Sequence, residues 1–128
     1  MNWWQKYLGI PFKHGGSDFS GVDCGGLVLL VMREEKGVNI MHEAQNMPFT
    51  AKNKHCAISY HIGQYFEQVN EPKEMDVFIL LRRGAWNHAG LLLPDNKFIH
   101  ACEGDQVRVE QRQFSKTELQ GFYRLKNA

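Results

Sequence analysis

The pattern of apolar positions predicts a buried helix near the start of the chain. Nine uncharged residues run from Cys24 to Met32, and four charged residues, 33–36, and then Gly37 follow them. An apolar run of this length that ends in a charged turn and a glycine is typical of a helix buried on most sides. Asp23 precedes the run and is a residue type that caps helix N-termini, so Cys24 is predicted to lie in the first turn.

Two further segments show helical spacing. Four apolar residues recur at this spacing before Gly9 and predict a short amphipathic helix with its aromatic side chains in the core: Trp3, Trp4, Tyr7 and Leu8. From about Asn53 to Pro72, apolar residues at i, i+4, i+7, i+8 and i+11 predict a second helix; they are Ile58, Ile62, Tyr65, Phe66 and Val69. The turn-forming residues between Pro11 and Gly21 predict a loop that would form one wall of a cleft, and residues 38–50 are predicted to be irregular.

The chain beyond residue 74 has the pattern of β-strands. Five segments are candidates: Met75–Leu81, His88–Leu93, Lys97–Cys102, Gln106–Glu110 and Gly121–Leu125. The first is continuously apolar from Val77, so it should be buried on both faces, whereas residues 107–110 alternate cleanly between two faces. Helices followed by strands predict an α+β fold, in which the early helix packs on an antiparallel sheet of about five strands.

Composition narrows the class of protein. The 128 residues suit a single domain over 1–128, and 43% hydrophobic with 23% charged residues is ordinary for a globular protein. A net charge of +1 without a long basic cluster argues against nucleic acid as a partner, and no apolar run approaches the roughly 20 residues that span a membrane. The N-terminus lacks the pattern of a signal peptide, so synthesis in the cytoplasm is expected. Three widely spaced cysteines predict reduced thiols.

Cys24 is the first candidate for chemistry. The partial positive charge of a helix N-terminus favours a thiolate in the first turn, as a nucleophile requires, and the Cys24 N–H is placed to donate to an oxyanion. The alternative is a small buried apolar residue. Gly25 and Gly26 are poor helix formers, so their presence indicates that something packs or binds closely over this end, with a substrate backbone as one candidate.

Two histidines, His88 and His100, lie in otherwise apolar strands. Each alone is compatible with a satisfied core residue, but together with Cys24 they supply a base and the group that orients it. A two-residue loop between their strands places the two side chains on opposite faces of the sheet, whereas a three- or five-residue loop, or a bulge, places them on one face. A catalytic pair therefore predicts an odd loop or a bulge within Pro94–Lys97. The small residues Ala89 and Gly90 beside His88 would let the helix approach closely.

Other cysteines and histidines give weaker signals. His55 and His61 do not share a helix face and have Cys56 between them, so surface or packing roles are expected, with zinc as the alternative. Cys102 has the same alternation parity as His100 and is expected to line the same face as a packing residue. No metal or cofactor is predicted for catalysis.

The order of several motifs resembles the NlpC-type family of papain-like cysteine peptidases over nearly the whole chain. The motifs are Tyr7-Leu8-Gly9-Ile10-Pro11-Phe12, Gly15-Gly16, Gly21-Val22-Asp23-Cys24-Gly25-Gly26-Leu27-Val28, Asn87-His88-Ala89-Gly90 and Phe98-Ile99-His100-Ala101. The resemblance implies a papain-like fold and cleavage of bacterial cell-wall stem peptides, typically between D-γ-glutamate and the diamino acid. It implies Cys24 as nucleophile, His88 as base and His100 as the orienting residue.

The segments Phe19–Cys24 and Gly121–Arg124 are similar to the bacteriophage tail-associated branch of this family. This similarity implies tail proteins as partners and a location in the virion tail or release at lysis. The resemblance also places four residues at the oxyanion site or substrate cleft: Phe12, His14, Asp23 and Gly25. Many members have a tyrosine at the position of Phe12, and phenylalanine cannot donate a hydrogen bond. The open alternatives are a weakly active or inert tail component that binds wall peptides or tail proteins, an acyltransferase or amidase, and, more distantly, a metal hydrolase.

Overall fold

The helix predicted from the apolar run organises the fold. The computed structural model describes residues 2–40, 65–82, 85–114 and 119–126, with the backbone alone for residues 81, 82 and 85–87. Helix α1 spans Cys24–Lys36, and its first nine residues are all buried. Gly37 ends it with φ of 69°, and the N–H groups of Gly37 and Val38 donate to the carbonyls of Arg33 and Met32. The predicted helix, its Asp23 cap and its glycine stop are confirmed.

Helix α1 packs on an antiparallel sheet of six strands in the described residues, where about five were predicted. The strands are β3 (Phe66–Val69), β4 (Val77–Arg82), β5 (Ala85–Leu93), β6 (Lys97–Ala101), β7 (Val107–Gln111) and β8 (Leu119–Leu125). Their order across the sheet is β3-β8-β4-β5-β6-β7. A small second sheet, β1 (Ser17–Asp18) with β2 (Gly21–Val22), precedes the helix. The α+β class is confirmed.

The main sheet buries apolar side chains on both faces. Val77, Ile79 and Leu91 join the cluster that packs around α1, whereas Phe78 and Leu80 join a second cluster on the other face. Strand β4 is thus buried on both sides, as its continuous apolar sequence predicts. The two clusters hold β4 and β5 at the centre of the molecule.

The structure corrects the second predicted helix only from Phe66 onward. Phe66–Val69 forms strand β3, which pairs residue by residue with β8 from Phe66 opposite Leu125 to Val69 opposite Phe122. Phe and Val are good strand formers, and the long-range pairing with β8 decides their conformation over the helical spacing. The earlier residues of that prediction, 53–64, lie outside the described residues.

The N-terminal segment is also shorter than predicted. A 3₁₀-helix of three residues, Gln5–Tyr7, replaces the amphipathic helix. Tyr7 is fully buried and its hydroxyl donates to Glu35 on α1 at 2.6 Å, but Leu8 is 44% exposed and is not a core residue. The loop predicted for residues 11–21 contains the β1–β2 hairpin. No helix in the described residues is long and apolar enough to cross a membrane.

Candidate active site

Asp23 builds the N-terminus of α1, where Cys24 is the first residue. The Asp23 carboxylate accepts hydrogen bonds from the Gly26 N–H at 2.6 Å and from the Gly15 N–H at 3.1 Å. One side chain thus caps the helix and fixes the preceding loop against it. Cys24 is 7% exposed. Asp23 therefore acts on the cleft by holding this end of the helix, and the thiol lies in the turn where helix N–H groups favour a negative charge.

The loop itself explains the second glycine after Cys24. A Cβ atom on Gly26 would lie 1.7 Å from the carbonyl oxygen of Gly16, so only glycine allows this approach. The group that packs over this end at Gly26 is therefore the chain's own backbone and not a substrate. Gly25 is buried within the same turn.

The histidines lie on one face of the sheet because the β5–β6 loop has an odd number of residues. Leu93 pairs with Lys97, which leaves three loop residues, and Asp95 and Asn96 have φ of 62° and 61°. This register brings His88 and His100 to the same side, as a catalytic pair requires. The predicted odd loop is confirmed.

His88 and His100 form a buried hydrogen-bonded pair. His88 Nε2 lies 2.6 Å from His100 Nδ1, and the two residues are 8% and 4% exposed. The rings also contact Phe78 and Phe98, whose centroids lie 6.4 Å and 4.7 Å from those of His88 and His100 respectively. Gly90, next but one to His88, makes room for the Phe78 ring and the Ile99 carbonyl, and not for α1.

Glu110 extends the pair into a chain of three groups, and sequence reasoning missed it. Its carboxylate is hydrogen-bonded to His100 Nε2. Burial acts to raise the pKa of Glu110, but the hydrogen bond from His100 and the Arg108 guanidinium outweigh it and hold that pKa below its usual value. An ionised carboxylate only accepts, so His100 Nε2 donates to it. With His100 neutral, Nδ1 accepts from His88 Nε2, and Nδ1 of His88 is then its proton-accepting nitrogen.

The signal for Glu110 was present in the sequence but incomplete. The clean alternation of residues 107–110 places Arg108 and Glu110 on one face of β7. Only the β6–β7 register, His100 opposite Arg108 and Phe98 opposite Glu110, shows that this face is that of the histidines. The register depends on the turn after Cys102, whose geometry the sequence did not specify.

Cys102 joins the same group of side chains. Its sulfur lies 3.3 Å from His100 Nε2, so the predicted parity is confirmed and the residue contacts a predicted catalytic side chain. Burial raises the pKa of the Cys102 thiol. Cys24 and Cys102 are both thiols.

Phe12 and His14 lie together in the loop that Asp23 holds. Their rings meet edge to face with centroids 5.2 Å apart. Phe12 bridges to Val22, and its N–H donates to the carbonyl of Asp105 at 3.0 Å. His14 is exposed, with Nε2 3.8 Å from Glu103. The phenylalanine is held by backbone contacts that a tyrosine at this position would also make.

The structure thus brings together His88, His100, Glu110 and Cys102. It places Cys24 at the N-terminus of the helix that packs on β5 and β6, the strands that carry the two histidines. His55, Cys56 and His61, for which zinc was the alternative, lie outside the described residues.

Comparison with known proteins identifies relatives over nearly all of the chain. A gamma-DL-glutamyl hydrolase of Bacillus subtilis strain 168 is 25% identical over 127 residues, which cover 96% of this chain and 28% of that protein. The probable peptidoglycan endopeptidase LytE of the same organism is 25% identical over 122 residues, which cover 94% of this chain and 32% of that protein. The chain therefore spans about a third of the length of these relatives.

A solved structure shares the fold. The NlpC/p60 domain of the peptidoglycan hydrolase SagA aligns with a TM-score of 0.62 at 24% identity, covering 94% of this chain and 91% of that chain. The papain-like α+β fold implied by the sequence resemblance is therefore confirmed. The sequence model of the NlpC/P60 family matches residues 9–124 of this chain. Because this match includes the Cys24 helix and all of the main sheet except the last residue of β8, the chain belongs to the NlpC/P60 family.

Proposed function

We propose that the chain is a cysteine peptidase that hydrolyses the stem peptides of peptidoglycan. The observation that carries the proposal is the hydrogen-bonded chain from His88 through His100 to Glu110, on strands packed against the helix that begins at Cys24. We assign Cys24 as the nucleophile, His88 as the base and His100 with Glu110 as the groups that fix the tautomer of the base. The names of the relatives and the structural neighbour, which refer to glutamyl or peptidoglycan hydrolysis, support the substrate class.

The proposed mechanism assigns one task to each group. His88 takes the thiol proton at Nδ1, and Cys24 Sγ bonds to the carbonyl carbon of the scissile amide. The Cys24 N–H donates to the oxyanion that forms. His88 then gives its proton to the leaving amine, so that the C–N bond breaks and a thioester remains. A water molecule that His88 deprotonates hydrolyses the thioester, which releases the carboxylate and restores the thiol.

We further propose the bond between D-γ-glutamate and the diamino acid as the site of cleavage. The sequence resemblance supports this assignment, and the relative named as a gamma-DL-glutamyl hydrolase agrees with a glutamyl side of the bond. Association with a bacteriophage tail, with synthesis in the cytoplasm and a location in the virion tail or release at lysis, is proposed on the similarity of Phe19–Cys24 and Gly121–Arg124 to that branch.

A second candidate is a weakly active component that binds wall peptides or tail proteins, and Phe12 favours it. Loss of one oxyanion donor typically costs about a hundred- to a thousand-fold in rate. Phe12→Tyr should therefore raise kcat if the missing hydroxyl limits the wild type. Phe12→Leu is the matched control because it changes the side chain without adding a donor.

Digestion of purified stem peptides tests the proposal directly. Wild type and Cys24→Ala would be incubated separately with diamino-acid and lysine types, and mass spectrometry would locate each new amino terminus. We expect one cleavage site, on the carboxyl side of D-γ-glutamate, that the variant does not produce. His88→Ala should abolish turnover and His100→Ala should reduce it less, because an orienting group contributes less than the base.

Two results would contradict the proposed function or its mechanism. Wild-type turnover in His88→Ala would overturn the mechanism. No cleavage of either peptide type, by a folded protein whose Cys24 alkylates slowly near neutral pH, would favour the binding component.

A further inference from the structure

Three side chains with metal-binding atoms converge behind the histidine pair. His100 Nε2, Cys102 Sγ and a Glu110 carboxylate oxygen all lie within 4.8 Å of one another, and Nε2 is 3.3 Å from the sulfur. Around a tetrahedral zinc ion, with bonds of about 2.0 Å to nitrogen and 2.3 Å to sulfur, ligand atoms lie about 3.5 Å apart. The nitrogen–sulfur spacing already fits, and the Glu110 carboxylate would withdraw slightly from His100.

The donor set and its surroundings suit a borderline-soft divalent cation. An imidazole nitrogen and a thiolate favour zinc or cobalt over magnesium or calcium, and the carboxylate completes three protein ligands. A cavity of about 200 Å³ is lined in part by His100 and Glu110. It provides a route to these two ligands and room for water as the fourth ligand.

We propose that a zinc-class divalent cation binds His100 Nε2, Cys102 Sγ and Glu110. Binding at Nε2, the His100 nitrogen that does not contact His88, inactivates the histidine pair. The metal displaces the hydrogen atom from His100 Nε2, so neutral His100 must carry its proton on Nδ1. His100 then donates to His88 Nε2, and the proton of His88 moves to its Nδ1. In each imidazole ring the proton thus moves from Nε2 to Nδ1, and the Cys102 thiol releases one proton to solvent. His88 can then no longer accept a proton at Nδ1.

The positive charge of Arg108 opposes binding of a cation, so its removal tests whether metal affinity changes in the expected direction. Arg108 Nε lies 3.3 Å from the Glu110 carboxylate, and its side chain is half exposed. Its Nη1 also pairs with Asp105 at 2.8 Å, so the guanidinium can leave Glu110 and keep that second pair. Arg108→Gln removes the positive charge and should therefore strengthen metal binding.

The direct experiment is a titration of the 128-residue chain with Co²⁺. Cys24→Ala, Cys56→Ala leaves Cys102 as the last of the three cysteines. Cobalt bound through a thiolate gives a charge-transfer band in the near ultraviolet, and in this protein the band can come only from Cys102. We expect the band at a stoichiometry of one, and its loss when Cys102→Ala is added. Glu110→Gln should weaken binding by more than the roughly 10- to 100-fold that loss of an outer-shell partner costs.

Two results would overturn the site. One is the absence of the band at saturating cobalt in the folded double variant. The other is a band whose affinity is unchanged by both Glu110→Gln and Arg108→Gln, since the sulfur would then bind metal without its neighbours.

A second measurement uses the unaltered sequence and does not depend on how the variants fold. Wild type would be treated with a thiol reagent with and without Zn²⁺, and mass spectrometry would compare the modification of each cysteine. Zinc should protect Cys102, whereas Mg²⁺ should not. Equal modification of Cys102 under all conditions would contradict the proposal.

The inhibitory consequence rests on the proposed function, whereas metal binding does not. Zinc should slow stem-peptide cleavage by wild type more strongly than by Cys102→Ala, with each protein compared with its own rate in chelator. If the chain cleaves no peptide, the cobalt and protection experiments still decide the site. If it cleaves and zinc inhibits both proteins equally, the switch is wrong and the peptidase assignment stands.

Discussion

At the scale of single residues, Glu110 fixes the hydrogen-bond direction along the whole histidine chain. Its carboxylate accepts from His100 Nε2, so that a neutral His100 accepts from His88 Nε2 at Nδ1. Glu110 is a positioning residue, because it acts on the reacting atoms through two imidazole rings. A group in this role should affect the rate of the chemical step more than the affinity for substrate.

Replacement of Glu110 therefore tests the chain. Glu110→Ala should lower kcat by about 10- to 100-fold with KM nearly unchanged, as for loss of an outer-shell partner of a catalytic group. Glu110→Gln keeps an acceptor oxygen and should lose less. Steady-state kinetics in chelator would measure both, with Glu67→Ala on the exposed side of β3 as the control. Equal effects on kcat from the Glu67 and Glu110 variants would contradict the role.

Glu110 should also contribute to stability in a defined range of pH. The pKa of its carboxyl lies below the usual value of 4.5 in the folded chain. The stabilisation is therefore complete above about pH 4.5 and is lost as pH falls through the lower folded value. Urea unfolding between pH 3 and 7 should show a shallower loss of unfolding free energy with falling pH in Glu110→Gln than in wild type. An unchanged slope would mean that the carboxylate gains nothing from His100.

Residue positions were predictable from the sequence where spacing alone fixes them. Strand alternation allows the two histidines to share a face only with an odd β5–β6 loop or a bulge, and Leu93 pairs with Lys97 across three residues. Glu110 was not predictable because its approach to His100 depends on the β6–β7 register. That register is set by a turn containing Gly104, with φ of 78°, which alternation does not reveal.

At the scale of elements, the N-terminus of α1 depends on a backbone approach that only one residue type permits. The carbonyl of Gly16 occupies the place where a side chain on Gly26 would begin, and the Gly16 carbonyl also accepts from the Asp23 N–H at 3.1 Å. The loop and the helix cap are therefore a single packed unit. Its integrity determines where Cys24 lies.

Two glycine substitutions separate packing from backbone strain. Gly26→Ala brings a Cβ to 1.7 Å from a backbone oxygen, so helix and loop must move apart, and the loss should reach about 3 kcal/mol or more. Gly37→Ala meets no atom within 4 Å but must hold φ of 69°, which should cost about 1 kcal/mol. Urea unfolding would compare them. Similar losses would show that the Gly16 contact is relaxed at little cost.

The elements differ in how far local sequence determines them. Helix α1 carries its cap, its apolar run and its stop within Asp23–Gly37, so the sequence predicted it fully. Strand β3 contains two apolar residues in four, a pattern that fits a helix or a strand equally. Its conformation comes from β8, more than fifty residues later in the chain.

At the scale of the whole molecule, an ion pair joins β4 to β8, two adjacent strands that are far apart in the sequence. Asp76, just before β4, accepts from Arg124 Nε and Nη2 on β8, each at 2.7 Å, and from the Lys73 N–H at 2.7 Å. The partners are 48 residues apart in sequence. The sequence predicted both strands but not their adjacency, because nothing local to either specifies that β8 inserts between β3 and β4.

The two partners should not be equivalent when removed singly. The Asp76 side chain is 3% exposed and that of Arg124 is 29% exposed. Arg124→Ala leaves a buried carboxylate with one backbone donor, and the loss should be about 3 kcal/mol. Asp76→Ala leaves a guanidinium that water can reach and should cost about 2 kcal/mol.

Urea unfolding of both single variants and of the double variant gives the coupling free energy between Asp76 and Arg124. Because the second substitution removes a charge that the first left unpaired, the double variant should lose no more than Arg124→Ala alone. A loss equal to the sum of the two would show that the pair adds nothing to the junction between β4 and β8.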